Sequence, residues 1–160
     1  MGTRAAIGYK TPEGKVRAKY SHYDGYVAGC GKTLQDHYQQ ARKIAQMVEL
    51  GDQSILAEDV FPTPGSGHSF ETPEEGVTIF YGRDRGETRV DAQEFDTVQE
   101  MVEYYSEAGC EYFYLHTANG WIVHNRYGVG NDANGYPIFD DLETQVTIEV
   151  ARLKAQGYDI

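Results

Sequence analysis

The segment His22-Tyr23-Asp24-Gly25-Tyr26, with His37 and Tyr38 a short way on, holds the densest group of side chains able to do chemistry in this chain. Side chains two apart on an extended strand point the same way. His22 and Asp24 could therefore act as a base with its orienting partner, or as two metal ligands. A polar network that merely holds a tight loop is the plain alternative, and contact with a bound ligand is a third reading. Metal sites usually declare more donors than this, and neither paired cysteines nor a His-Glu-x-x-His segment occurs. No metal or other cofactor is expected.

Gly29-Cys30-Gly31-Lys32-Thr33 resembles the end of the phosphate-binding loop of P-loop nucleotidases, where glycines and a lysine aim donors at phosphate. Tyr26 stands where the first glycine of that loop belongs, and the strand before it is amphipathic rather than buried, so a helix N-terminus preceded by a glycine loop is the expectation. A further group, Arg83-Asp84-Arg85-Gly86-Glu87 with Arg89 nearby, offers two arginines that could fork onto a phosphate or carboxylate, or else neutralise their own acidic neighbours.

Between Arg89 and Arg126 there is no Lys or Arg, while Asp96, Glu100, Glu103 and Glu107 recur at helical steps. That spacing puts the four on one helix face, either solvated or presented to a basic partner. Asp132-Ala133-Asn134-Gly135 resembles only the middle of a calcium-binding loop: Gly130 replaces the first ligand and Asp141 the bidentate Glu. No Gly-x-Ser-x-Gly elbow is present.

The elements that must position these groups read as follows. Residues 3–10 and 15–20 form a hairpin through Thr11-Pro12-Glu13-Gly14, with Val16, Ala18 and Tyr20 inward and Lys15, Arg17 and Lys19 outward. Thr33 caps a helix carrying Leu34, Tyr38, Ala41, Ile44, Ala45 and Val48, closed by Gly51. Residues 52–76, rich in Pro and Gly, read as a long mobile loop with a helical turn near Ser54 to Ala57. Val77 to Tyr81 reads as a strand. Asp96 with Gln99 resembles a capping box that opens a helix stopping at Gly109. Two strands joined at Asn119-Gly120 through a type I′ turn follow, and Asp140 or Asp141 caps a last helix ended by Gly157. The expected fold class is α+β: one domain over 1–160, a mainly antiparallel sheet of about five strands with about three helices packed on it, in the order ββα-β-α-ββ-α.

With 160 residues the chain suits a single domain. Its net charge of −11 is unevenly spread, for residues 1–50 hold 8 Lys+Arg against 4 Asp+Glu and residues 51–160 hold 6 against 21. A basic first third keeps an anionic ligand open, whereas the acidic remainder favours a basic partner and disfavours direct nucleic-acid binding. No run of about 20 apolar residues occurs, and no basic-then-apolar leader, so a cytoplasmic protein without a membrane segment is expected. Cys30 and Cys110 then read as small buried thiols. The 13 tyrosines suit surfaces that touch something.

Met1-Gly2-Thr3-Arg4 opening a strand, His22-Tyr23-Asp24-Gly25-Tyr26 after the second strand, Gly51-Asp52, and Tyr81-Gly82-Arg83-Asp84-Arg85-Gly86-Glu87 together resemble a group of small bacteriophage proteins. Those typically start Met-Gly-Thr-Arg and carry a His-Trp-Asp-Gly-Tyr-Pro-like segment; here Tyr23 replaces Trp and Val27 replaces Pro. The likeness spans roughly residues 1 to 90 and implies a phage origin, with the host cytoplasm as the working compartment, without conveying an activity. Three functions are then open. The first is an accessory protein that binds a host protein or a nucleotide signal in host takeover or counter-defence, a nucleotide being held by Arg4, His22, Asp24, Tyr26, Arg83 and Arg85. The second is a metal- or His22/Asp24-dependent hydrolase or nuclease. The third is an acidic nucleic-acid mimic that blocks a basic host protein through Asp96, Glu100, Glu103 and Glu107. A homo-oligomer is compatible with each.

Overall fold

A computed structural model describes residues 2–160. In chain order the elements are β1 (Ala5–Lys10), β2 (Val16–Ser21), a π-helical turn (Val27–Gly31), α1 (Lys32–His37), α2 (Ala41–Glu49), β3 (Gln53–Ile55), β4 (Ile79–Phe80), α3 (Tyr81–Arg85), β5 (Gln93–Phe95), α4 (Val98–Glu107), β6 (Tyr112–Thr117), β7 (Gly120–Asn125), β8 (Asp140–Asp141) and α5 (Leu142–Ala155). The eight strands form one sheet in the order β4-β3-β2-β1-β6-β7-β8, with β5 also paired to β2. The fold is α+β. It carries more strands and helices than the sequence pattern separates, and the sheet is mixed, because β1 runs parallel to β6 and β2 parallel to β3.

Helices cover both faces. Ala5 and Ile7 of β1, Tyr114 of β6 and Trp121 and Val123 of β7 pack against Leu34, Ile44, Met47, Leu142 and Val146. On the opposite face Ala6, Val16, Ala18 and Phe113 pack against Met101, Val102 and Tyr105 of α4. Gly8 permits that approach, since a Cβ there would lie 3.3 Å from Met101 Sδ and closer still to backbone. Coverage of both faces overturns one expectation from alternation: Lys19 does not face water but is wholly buried beneath α2. Its Nζ donates to the Met47 carbonyl at 2.6 Å and to Gln53 Oε1, and lies 4.4 Å from the centre of the Phe80 ring.

Other boundaries shift for local reasons. The helix expected from Thr33 to Leu50 begins earlier, in the π turn, and breaks between His37 and Ala41. Tyr38 at the break is fully buried; its carbonyl accepts the Trp121 indole N–H at 2.7 Å and its hydroxyl donates to the Ala57 carbonyl at 2.7 Å. These tertiary bonds replace the helical ones that periodicity alone predicts. Thr33 is no cap, for its hydroxyl donates back to the Gly29 carbonyl at 3.1 Å. Gln53–Ile55 is a strand rather than a helical turn, and Tyr81 opens α3 rather than closing a strand. The cap of α4 is Thr97, which accepts from the Glu100 amide at 3.1 Å, one residue beyond the Asp96–Gln99 reading. In the β6–β7 hairpin the register runs unbroken to Thr117 opposite Gly120, so the turn residues are Ala118 and Asn119, and neither has the positive φ that a type I′ turn needs. Asp141 caps α5 as expected, accepting from the Thr144 amide at 3.0 Å.

The long segment 52–76 is tied down along its length. The Asp59 amide donates to the Gly76 carbonyl at 3.0 Å, and the Phe70 amide to the Asp84 carbonyl at 3.0 Å. Cys30 and Cys110 are both buried, free thiols. Among the described residues no helix is long and apolar enough to cross a membrane.

Candidate functional site

The segments opening at Gly2, His22, Gly51 and Tyr81 meet at one corner of the sheet, Met1 itself lying outside the described residues. The Gly25 amide donates to the Thr3 carbonyl at 2.8 Å, the His22 amide to Gln53 at 3.1 Å and the Tyr23 amide to Ser54 at 2.9 Å. The Tyr20 amide donates to Asp52 Oδ1 at 3.0 Å, and the Asp52 carbonyl accepts the Tyr81 amide at 3.1 Å. Gly51 makes this crossing possible: with φ 84° it lies against the Val90 carbonyl, where any Cβ would collide with backbone.

Arg4 and His22 share that corner. The Arg4 guanidinium lies over Gly109, where a Cβ would come within 2.5 Å of Nη1. His22 Nδ1 is hydrogen-bonded to the Tyr20 hydroxyl at 2.6 Å, and its ring meets Tyr23 edge-on with centroids 4.5 Å apart. Desolvation and then the Arg4 charge push His22 below the usual histidine range. Asp24 does not orient it. At φ 57° Asp24 turns the chain instead of extending it, its carbonyl accepts the Cys30 amide at 2.8 Å, and its side chain is exposed.

A histidine–aspartate pair does form, elsewhere, between His68 and Asp84. Nε2 of His68 lies 3.1 Å from Asp84 Oδ2, with the side chains 1% and 3% exposed. Nδ1 accepts the Glu74 amide at 2.9 Å, so the proton sits on Nε2 and both ring nitrogens are occupied. This is a staple between segment 52–76 and α3, with no free nitrogen to act as a base. Arg83 completes it, donating to Asp84 Oδ1 at 2.8 Å and to the Val60 and Thr78 carbonyls at 2.6 and 3.1 Å. Arg85 pairs with Glu87 and stacks over Phe70 and Tyr81 at 4.4 and 4.8 Å. Both arginines are therefore spent on internal partners.

Beside Arg4 and Tyr20, an open groove of about 570 Å³ runs along the C-terminal end of α4, lined by Tyr20, Asp52, Tyr104, Tyr105, Glu107 and Ala108. Burial pushes the Asp52 carboxyl up to about 6, against the opposing pull of the Tyr20 amide and of Lys19. Glu107 lines this groove and also, with Glu103, a neighbouring hollow beside His124 and Arg126. Of the four acids expected on one face of α4, Asp96 precedes the helix and pairs with Lys15 at 3.0 Å, and Glu100 accepts the Asp96 amide at 3.3 Å. Glu103 and Glu107 make no ion pair among the described residues. Tyr104 stands between them, 46% exposed. Arg126, the next arginine after the helix, donates to the Ser106 and Cys110 carbonyls at 3.0 and 3.4 Å, at the negative end of the helix dipole.

Tyr26 belongs to a different surface, a cleft between the π turn and α5. Gly31 is packed against Leu142 and Tyr114, and Lys32 pairs with Asp36 at 2.5 Å. The six residues expected to hold a nucleotide thus divide among several places: Arg4 and His22 at the corner, Tyr26 at the cleft, and Arg83 and Arg85 in the staple, with Asp24 at the loop surface.

Sequence reading missed Tyr20, Asp52 and Tyr104. Asp52 carried a signal, since it follows a glycine in one of the resembling segments, but its pairing with Tyr20 spans 32 residues and depends on β3 docking parallel to β2. No group of three or more His, Cys, Asp or Glu side chains among the described residues is placed to hold a metal ion. No protein-family model, curated protein or solved structure matches this chain.

Proposed function

We propose that this chain is a phage accessory protein that works by binding, and that it captures a basic segment of a host protein in the tyrosine- and acid-lined groove beside α4. The observation that carries the reading is the groove itself: Tyr20, Tyr104 and Tyr105 line it beside the carboxyls of Asp52 and Glu107. Aromatic faces and carboxylates together suit a lysine or arginine side chain, which gains from both the ring quadrupole and the opposite charge. The outward Glu103 extends the same potential along α4, and a net charge of −11 steers a basic partner toward the molecule.

Nucleotide capture through Arg4, His22, Asp24, Tyr26, Arg83 and Arg85 has less support, because a phosphate would compete with Asp84 and Glu87 for the two arginines. Hydrolysis by His22 and Asp24 has less support as well, because His22 bonds to Tyr20 rather than to Asp24.

Affinity purification from an infected host tests the proposal when wild type is compared with the Glu103→Lys/Glu107→Lys double variant. The expected result is a basic host protein retained at low salt, lost on raising salt to about 0.5 M, where screening extends over only a few Å, and lost with the variant. Retention that charge reversal leaves untouched overturns the proposal.

A further inference from the structure

The cleft between the π turn and α5 is a second binding site, and we infer that it takes an uncharged nucleoside or free nucleobase. Its volume is about 380 Å³, within the span of about 300–1,000 Å³ usual for small-ligand sites. It is independent of the α4 groove, with which it shares no lining residue.

Two tyrosines supply aromatic wall. Tyr112 lies parallel to Tyr114, with centroids 6.4 Å apart and planes 13° apart, and Tyr114 is itself fixed by donating to the Gly25 carbonyl at 2.6 Å. Tyr26 enters from the π turn, 41% exposed. A π-helical turn is rare and recurs at functional sites; here it delivers Tyr26, Val27 and Ala28 to the cleft wall. Planar ligands gain from such faces, and every nucleobase has a π face to offer.

The polar groups set the chemistry further. Neither the Gln145 amide nor the Asp140 carboxylate makes a hydrogen bond among the described residues, although both line the cleft. An amide offers one donor face and one acceptor, and a carboxylate only accepts. Together they match a base edge that bears N–H donors next to an acceptor, with a ribose hydroxyl as another donor for the carboxylate. Phosphate is disfavoured, because Arg152 is already paired with Glu149 at 2.7 Å and Asp140 leaves the cleft negative. The ligand class is therefore the nucleoside or base and not its phosphorylated form.

Calorimetric titration of the full chain with adenosine, guanosine, cytidine and uridine, their free bases and their 5′-monophosphates tests this. Saturable binding of at least one nucleoside or base is expected, with its monophosphate weaker. Tyr26→Ala should weaken that binding about tenfold, and Gln145→Ala should weaken it also, while circular dichroism stays native. Glu103→Lys/Glu107→Lys should leave it unchanged, which separates this site from the α4 groove. The inference is overturned if wild type gives no saturable heat with any nucleoside or base, if a monophosphate binds more tightly than its nucleoside, or if folded Tyr26→Ala and Gln145→Ala variants both bind as wild type does.

Discussion

The Tyr20 amide donates to Asp52 Oδ1 at 3.0 Å, and that bond holds a carboxyl in the wall of the α4 groove while joining β2 to the residue before β3. Because burial raises the folded carboxyl from 3.8 to about 6, the folded state binds a proton more tightly than the unfolded chain does. The folded protein is then relatively favoured by protonation as pH falls from about 6 to about 4, and it bears the full cost of the charge above about 6. Asp52→Asn keeps the oxygen that accepts from Tyr20 and removes the charge. Denaturant unfolding should find the variant more stable than wild type at pH 7.5 by about 1–2 kcal/mol, solvent at the groove mouth screening part of the cost of the charge. The gap should vanish near pH 4.

Lys19 gives the opposite slope. Burial pushes its ammonium well below the usual lysine range, and its hydrogen-bond acceptors are uncharged groups of Met47 and Gln53. Because the folded chain holds this proton less tightly than the unfolded one, stability rises with pH below the usual lysine range, by up to about 1.4 kcal/mol per pH unit. That rise is expected between pH 7 and 9, below the titration of unfolded tyrosines, and Lys19→Met should flatten it. Equal slopes in wild type and variant would contradict a lowered affinity of buried Lys19 for its proton.

Gly51→Ala is expected to cost more than about 2 kcal/mol, since the left-handed backbone and the contact with Val90 both oppose a Cβ. Thermal unfolding checks this. Gly65→Ala, also at positive φ but with open space around it, should cost only about 1 kcal/mol.

His68→Ala removes both bonds of the staple and leaves the Glu74 amide without its acceptor. Loss of a buried partner costs about 1–3 kcal/mol. Hydrogen exchange should show it locally, with the Phe70 and Glu74 amides exchanging at least about tenfold faster and the amides of β1 and β6 unchanged. Uniform protection across the segment would mean that the staple does not hold it.

Much of this architecture could be read from residue order. Alternation in β1 and β2, the Asn119-Gly120 hairpin, and the caps and stops of α4 and α5 are local features, and each stands where its own residues placed it, within a residue at the α4 cap. What depends on distant pairing was not legible. Lys19 alternates like an outward residue, but α2 covers its face. The break at Tyr38 depends on Trp121, 83 residues away. Strand β3 forms because it docks parallel to β2, against the turn-rich composition around it. The candidate site follows the same division. Glu103 and Glu107 were found from helical spacing, whereas Tyr20 and Asp52 become neighbours only when β3 docks.

The central claim, capture of a basic segment in the α4 groove, is tested most directly by nuclear magnetic resonance titration of the labelled full chain with a short Lys/Arg-rich peptide. Saturable shifts are expected at Tyr20, Asp52, Tyr104 and Glu107, stronger at pH 7.5 than at pH 5 because Asp52 is neutral below about 6. They should weaken with salt and disappear in Glu103→Lys/Glu107→Lys. Absence of saturation, or shifts at other surfaces that the double variant leaves intact, would contradict it.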